Sequence, residues 1–335
     1  MSAVALYARF VRENYAGIIV STLIAGIVVG LFTDSPGVFI RQFNLPLIVI
    51  MIGAMGFSIT FRSLGLATSQ WKGFSLGLLL NFVLAPFVCW VLAWLFLSGY
   101  PDLATGLILV GVVPCAGMAL VWAGLLKGDV PLATLINAAT MMVAPFLIPV
   151  LVSLLASAFV AINTIEMFKQ VIYSVLLPLL GGLALRELAE RRISVRELLP
   201  AMPAISATMA VLLMFMAINT SVPPITKNLG LIAPVVASTI LVFPTLFVVA
   251  YLVSAKFFPR GQNIAITYSS GMKNLPIAIG IAAMSFDGLE ILPVSVGFAF
   301  QMLTAVVFYQ LFRREGTTKG AAALSTSTPS ARTRG

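Results

Sequence analysis

Val113-Pro114-Cys115-Ala116-Gly117 interrupts the apolar run 103–126, and Ser269-Ser270-Gly271-Met272-Lys273-Asn274 interrupts the apolar run 264–284. The reading of these two stretches decides the fold. A proline or glycine in the middle of a hydrocarbon-length helix frees backbone N–H and C=O groups, which lipid cannot satisfy. Such a break is tolerated only where it lines a protein cavity. Paired breaks in the two halves of a chain are the sequence mark of a transporter with its solute site near the membrane midplane.

Working outward, a helix needs about 20 apolar residues to cross a bilayer. Ten runs meet this length or approach it: 15–32, 45–61, 73–97, 103–126, 132–160, 167–188, 202–218, 229–257, 264–284 and 291–312. Asp34-Ser35-Pro36-Gly37, Tyr100-Pro101-Asp102 and Pro223-Pro224 read as turns between them. The breaks then fall in the fourth span of each half. Five spans per half is an odd number, so the second half crosses with inverted orientation. The expected fold is all-α and integral to the membrane: ten transmembrane helices as two inverted five-helix repeats, with broken, crossing helices four and nine. The expected organisation is a cytoplasmic N-terminus (1–14), a first repeat (15–160), a second repeat (161–314) and a disordered cytoplasmic tail (315–335), small, polar and basic in composition.

Composition agrees. Hydrophobic residues make up 60% of the 335 and charged residues 9%, against about 25% charged in soluble domains. Mean hydropathy is +1.07. The net charge of +9 raises a nucleic-acid reading, but the basic residues flank apolar runs, so no nucleic acid is expected. With no His and two cysteines, Cys89 and Cys115, both inside spans, there is no disulfide framework and no Cys/His metal cluster. No small-residue cleavage site precedes the first run, so no removable signal peptide is expected.

Lys and Arg sort unevenly between the two sides of this arrangement. Sixteen fall on one side and three (Arg41, Lys169, Lys227) on the other, the twentieth being Lys273 inside a span. Basic loops stay in the cytoplasm, which places both termini there, in a plasma (inner) membrane.

The segment 106–130, with Cys115, Met118, Val121-Trp122 and Gly128-Asp129, resembles the bile acid:sodium symporter superfamily, and within it the arsenite efflux permeases. Asn81, Pro86 and Ala93-Trp94-Leu95-Phe96-Leu97 match the same branch. Leu176-Leu177-Pro178-Leu179-Leu180-Gly181 and Gly271-Met272-Lys273-Asn274 look more like the bile acid side. The resemblance implies alternating access, by rocking of one bundle against another around helices crossing at their breaks. The chain also departs from those relatives. Where sodium-coupled members carry a Ser-Asn pair it has Ala119 and Leu120, and where they carry a Glu and a Gln it has Ser269 and Lys273.

The chemistry of the breaks narrows the function. All eleven acids fall in loops, tails or span ends. A buried sodium ion would have to rely on neutral oxygens such as Asn137, Thr140, Ser269 or freed carbonyls. Lys273 is the one charge placed deep in a span. A lysine at the bilayer centre costs about 2.5–3.5 kcal/mol or more, so it ordinarily faces a cavity and serves a function. It is the candidate coupling residue, either a fixed cation where relatives hold sodium or a proton carrier; a snorkelling lysine is the plain alternative. Cys115 offers the soft sulfur that trivalent arsenic prefers, although a free Cys is most often a small buried hydrophobe, as Cys89 is read to be. Half-helices starting after Gly117 and Asn274 would aim positive dipole ends into the site and favour an anion, and Pro276 suits the start of the second.

The candidate solute-binding residues are therefore Cys115, Ala116, Gly117, Met118, Lys273, Asn274, Ser269, Ser270 and Asn81, with no metal and no cofactor. Asn81 and Gln301 are equally read as helix glue or cavity lining. The expected function is secondary active transport of a small solute, arsenite-type efflux or small organic-anion transport without conventional sodium sites. A sodium-dependent organic-anion symporter and a non-transporting channel or scaffold stay open. No nucleophile–base pair is visible, so no enzyme is expected.

Overall fold

The computed structural model describes residues 3–59, 70–192, 198–199, 201–286 and 289–326. Among them it is all helix, without strands. The helices are α1 (Ala3–Phe32), α2 (Ser35–Arg41), α3 (Asn44–Ser58), α4 (Trp71–Leu97), α5 (Pro101–Val112), α6 (Met118–Leu125) and α7 (Val130–Ala156). There follow α8 (Thr164–Val171, continuing through a π-turn at Ile172–Leu176 into Leu177–Arg192), α9 (Ala201–Lys227), α10 (Ile232–Phe257), α11 (Arg260–Gly271), α12 (Leu275–Ser285) and α13 (Ile291–Thr326).

Six of these helices are long and apolar enough to cross a membrane, or eight if two bent pairs each count as one span. One such pair is α2 with α3, which meet at 63°. The two interrupted runs yield helices too short to cross alone, Pro101–Val112 and Leu275–Ser285 among them. Every apolar run of the sequence contains helix.

The ends differ from the sequence reading in several places. The helix α1 begins at Ala3, within the segment expected as an N-terminal tail. The helix α13 runs to Thr326, through the first part of the expected C-terminal tail, and 327–335 lie outside the described residues. So do residues 60–61 at the end of the second run, along with Arg62, Arg196, Asp287, Arg332 and Arg334. The expected turn at Pro223-Pro224 is corrected: both prolines lie inside the last turns of α9, which ends at Lys227. A proline costs a helix its bond to the carbonyl four residues back, and so near the end few bonds remain to lose. The turn after α1 likewise sits at Thr33–Asp34, because Pro36 belongs to the first turn of α2.

Local chemistry sets the other boundaries. Asp129 caps α7 by accepting from Leu132 N at 3.0 Å, and Asn163 caps α8 by accepting from Glu166 N at 3.1 Å. Both π-turns, Leu80–Leu84 and Ile172–Leu176, close just ahead of a proline, Pro86 and Pro178. The proline ring crowds the carbonyl four residues earlier, and a widened turn relieves that crowding, though not the loss of the proline N–H.

The helices pack in two groups. One contains α1, α2, α3, α8 and α9; the other contains α4, α5, α6, α7, α10, α11 and α13. The helix α12 packs on α13 but also on α3, α8 and α9, and the groups meet again where α8 packs on α7 and α9 on α13. The helix α12 is tied to the first group by Asn44 Nδ2 donating to Gly280 O at 3.2 Å, and by Ser285 Oγ donating to Gln170 Oε1 at 2.5 Å.

Candidate functional site

Residues 113–117 and 272–274 meet in the interior. Val113 precedes a proline, which disfavours helical geometry there, and it is extended at φ −68°, ψ 155°. Met272 is extended at φ −97°, ψ 116°. The two extended stretches pair antiparallel, Cys115 opposite Lys273. Ala116 N donates to Met272 O at 2.9 Å and Asn274 N donates to Pro114 O at 2.8 Å. The breaks at 113–117 and 269–274, picked out separately in the sequence, are thus one structure.

A broken helix leaves main-chain groups that must find partners when buried. Several of the remaining groups are taken by neutral side chains. Cys115 N donates to Thr140 Oγ1 at 3.3 Å, and Asn137 Nδ2 donates to Cys115 O at 3.0 Å. In an unbroken helix Lys273 N would bond to Ser269 O. Here Lys273 N donates to Gln301 Oε1 at 2.8 Å, and Ser269 O accepts from Asn81 Nδ2 at 3.0 Å. Asn137 and Thr140, named in the sequence as a possible cation shell, are thereby engaged by the broken main chain. Thr140 Oγ1 takes the Cys115 N–H and itself donates to Asn137 O at 3.0 Å.

Lys273 is fully buried, so it does not snorkel. Its Nζ donates to Asn81 O at 3.1 Å and to Asn81 Oδ1 at 3.2 Å. The main-chain acceptor is available for a reason written in α4. Within the π-turn Ala85 N bonds to Leu80 O rather than to Asn81 O. The next residue that could donate to Asn81 O is Pro86, which has no N–H.

The bridge has two faces. Residues directly opposite each other share a face, and neighbours along the chain alternate. Cys115 and Lys273 accordingly share the face towards α4, and Cys115 packs in one apolar cluster with Leu80, Ala119 and Tyr268. Asn274 takes the other face, where its Nδ2 approaches the sulfurs of Met55 in α3 and Met141 in α7, both at 3.8 Å. Thioethers are weak acceptors, so this amide keeps hydrogen-bonding capacity in reserve. Gly117, half-buried, opens the α6 helix on this side, whereas the half-buried Met118 packs against the cluster that holds Cys115. A side chain on Gly117 would meet nothing nearer than Met55 Cε at 4.0 Å.

Ser269 and Ser270 are buried, with hydroxyls lacking a hydrogen-bond partner. Cys115 Sγ lies 3.4 Å from Ala116 O. Cys89 packs against Gly111, where an added side chain would come within 2.9 Å of its Cβ. The nine candidate residues are therefore brought to one place but on two sides of it. The N-termini of α6 and α12 both start at the crossing, at Met118 and Leu275, so their positive ends add to the Lys273 ammonium. Two cavities lie elsewhere: about 230 Å³ lined by Arg41, Thr220, Ser221 and Leu289 among others, and about 400 Å³ lined by Val49, Gly53, Phe57 and Gly182 among others.

Sequence reasoning gave the Gly128-Asp129 pair no role beyond its place in the family resemblance. Gly128 lets the chain pass against Ile264, and Asp129 binds Gln70 Nε2 at 2.8 Å besides capping α7. Asp129 N also donates to Gly261 O at 2.9 Å, which fastens the start of α11. The residue ahead of the pair, Lys127, adopts φ 57°, a left-handed turn that ends α6.

Apolar helices of membrane length and two broken helices joined at their breaks define a membrane transporter. The chain belongs to the sodium bile acid symporter family, whose sequence model matches residues 45–228. It is 28% identical over 290 residues to the uncharacterised Bacillus subtilis protein YbaS, covering 83% of this chain and 93% of that one. It is 29% identical over 191 residues to the arsenical-resistance protein Acr3 of Alkaliphilus metalliredigens, covering 51% and 53%. It is 30% identical over 167 residues to the probable sodium/metabolite cotransporter BASS1 of Arabidopsis thaliana chloroplasts, covering 50% and 41%.

Proposed function

We propose that this chain is a secondary active transporter that moves a small organic anion without a conventional sodium site, the Lys273 ammonium serving as its fixed cation. The observation that carries the reading is the buried ammonium held by two oxygens of Asn81, beside two helix N-termini. The hydrogen-bonded charge attracts an anion, and the positive helix ends add to that attraction. The sodium-symport alternative would rest on Asn137 Oδ1 and the Ser269 hydroxyl, because Thr140 Oγ1 and Ser269 O already accept hydrogen bonds at the break.

The proposed architecture has ten spans in two inverted repeats, α5–α6 and α11–α12 being the broken fourth and ninth. Both termini are cytoplasmic and the protein sits in the plasma membrane. The division into two helix groups supports alternating access by rocking, with the solute on the Asn274 and Gly117 side and Met118 at its edge towards Cys115. Ala116, Cys115, Ser269 and Ser270 frame the crossing from within.

A second reading, arsenite efflux, is favoured by the thiol of Cys115 at the first break and by the match to an arsenical-resistance protein. Everted vesicles and sodium-free proteoliposomes test both. Saturable, gradient-driven accumulation of organic anions that persists without sodium is the expected result. Accumulation that requires sodium would sink the reading. Arsenite uptake lost in Cys115→Ser would establish the second, and no gradient-driven uptake of any solute would leave a channel or scaffold.

A further inference from the structure

The Lys273 side chain ends in a place shaped before it arrives. An orphaned main-chain carbonyl and an oriented amide oxygen stand together at Asn81. The π-turn of α4 hands the Ala85 N–H to Leu80 O, and Pro86 withholds the only other N–H in reach. Asn81 Oδ1 is aimed because its own Nδ2 is fixed twice, to Gly77 O at 2.9 Å and Ser269 O at 3.0 Å. A buried carbonyl left without a donor is costly, so α4 alone would be poorly satisfied.

We infer that Asn81, with Pro86 as its positioning residue, forms a seat for a primary ammonium group, which Lys273 fills from the facing helix pair. The seat recognises N–H donors and not charge alone. The ammonium nitrogen sits 3.1 and 3.2 Å from two neutral oxygens, which is hydrogen-bonding length and direction. A bare alkali ion needs a fuller shell of oxygens at shorter range. This deepens the reading of Lys273 as a fixed cation and rests on it. It adds a ligand class: when the lysine is cut back, a small free alkylammonium takes its place.

The test uses the full chain in detergent and reads thermal stability, so it does not depend on which solute is carried. Lys273→Ala removes three methylene groups and the amine, the size of n-propylammonium. Melting is measured in equal concentrations of n-propylammonium, tetramethylammonium and sodium chlorides. The expected result is a rise in the apparent Tm of Lys273→Ala with n-propylammonium only, and no change in the wild type. Equal rises with all three salts, or none with n-propylammonium, would overturn the seat.

Pro86→Ala, with Lys273 intact, provides a second arm if Lys273→Ala does not fold. Replacing a proline within a helix ordinarily stabilises it. Here the new N–H competes for Asn81 O, and a fall in Tm is expected. A rise would show that Pro86 does not make the seat. Amine rescue of stability with no organic-anion transport would leave the seat standing and remove only the solute reading.

Discussion

The two breaks are joined by the same pair of main-chain bonds, yet they are supported differently. The first, around Pro114 and Cys115, is held by Asn137 and Thr140 of α7, the helix that follows the broken pair α5–α6. It contains no charge. The second, around Gly271 and Lys273, is likewise held from the helix after its own pair, α13, but also from α4, far from it in sequence. It carries a buried ammonium. The lesson is that a repeated backbone design does not repeat its chemistry: one break is a neutral joint, and the other is where the electrostatics are concentrated.

Lys273→Met attacks that contrast most directly. It removes the ammonium and strands Asn81 O, so a loss of about 1–3 kcal/mol is expected, together with loss of transport. Melting curves and proteoliposome uptake check it, and an active, stable Lys273→Met protein would erase the contrast. The glycines of the two breaks make the next comparison. Gly271→Ala would drive a methyl into the Phe247 ring, which is fully buried and unable to yield; a cost of about 1–3 kcal/mol is expected. Gly117→Ala meets open space, and stays within about 0.5 kcal/mol of wild type. Similar melting shifts for the two would show the breaks to be equally packed.

Thr140→Val leaves the buried Cys115 N without its acceptor, at a cost of about 1 kcal/mol or somewhat more. It is read by melting and by amide exchange at Cys115, which should quicken. A comparable cost is expected at Cys89. Cys89→Ala removes one sulfur that touches Gly111 and lowers stability by about 1 kcal/mol, without changing transport. Asn274→Ala sharpens the picture from the other face: it leaves melting nearly unchanged, because its partners are weak thioethers, but raises the KM for the solute.

Much of the fold was legible because apolar length and mid-span proline are local signals. Pro114 marks its break in one residue, and the helix boundaries at Pro101, Asp129 and Pro276 follow from capping chemistry. The candidate residues were legible as a set, since they cluster around the two breaks. Their division between two faces was not, because it depends on which residue stands opposite which across the bridge. Nor was the partner of Lys273, which lies 192 positions away in sequence. Pro86 was visible as a family resemblance, but its effect on the Asn81 carbonyl appears only once the π-turn is in view. The ends of α1, α9 and α13 ran past the apolar stretches, since a helix continues as long as its backbone bonds are satisfied, not only while it is hydrophobic.

The joint between the breaks is made by Ala116 N with Met272 O and Asn274 N with Pro114 O. Bonds of this kind do not read side-chain identity. A descendant of this chain can therefore exchange residues at 116, 272 or 274 and inherit the joint intact. What the protein accepts as cargo is free to drift over generations, while the scaffold that presents it stays fixed.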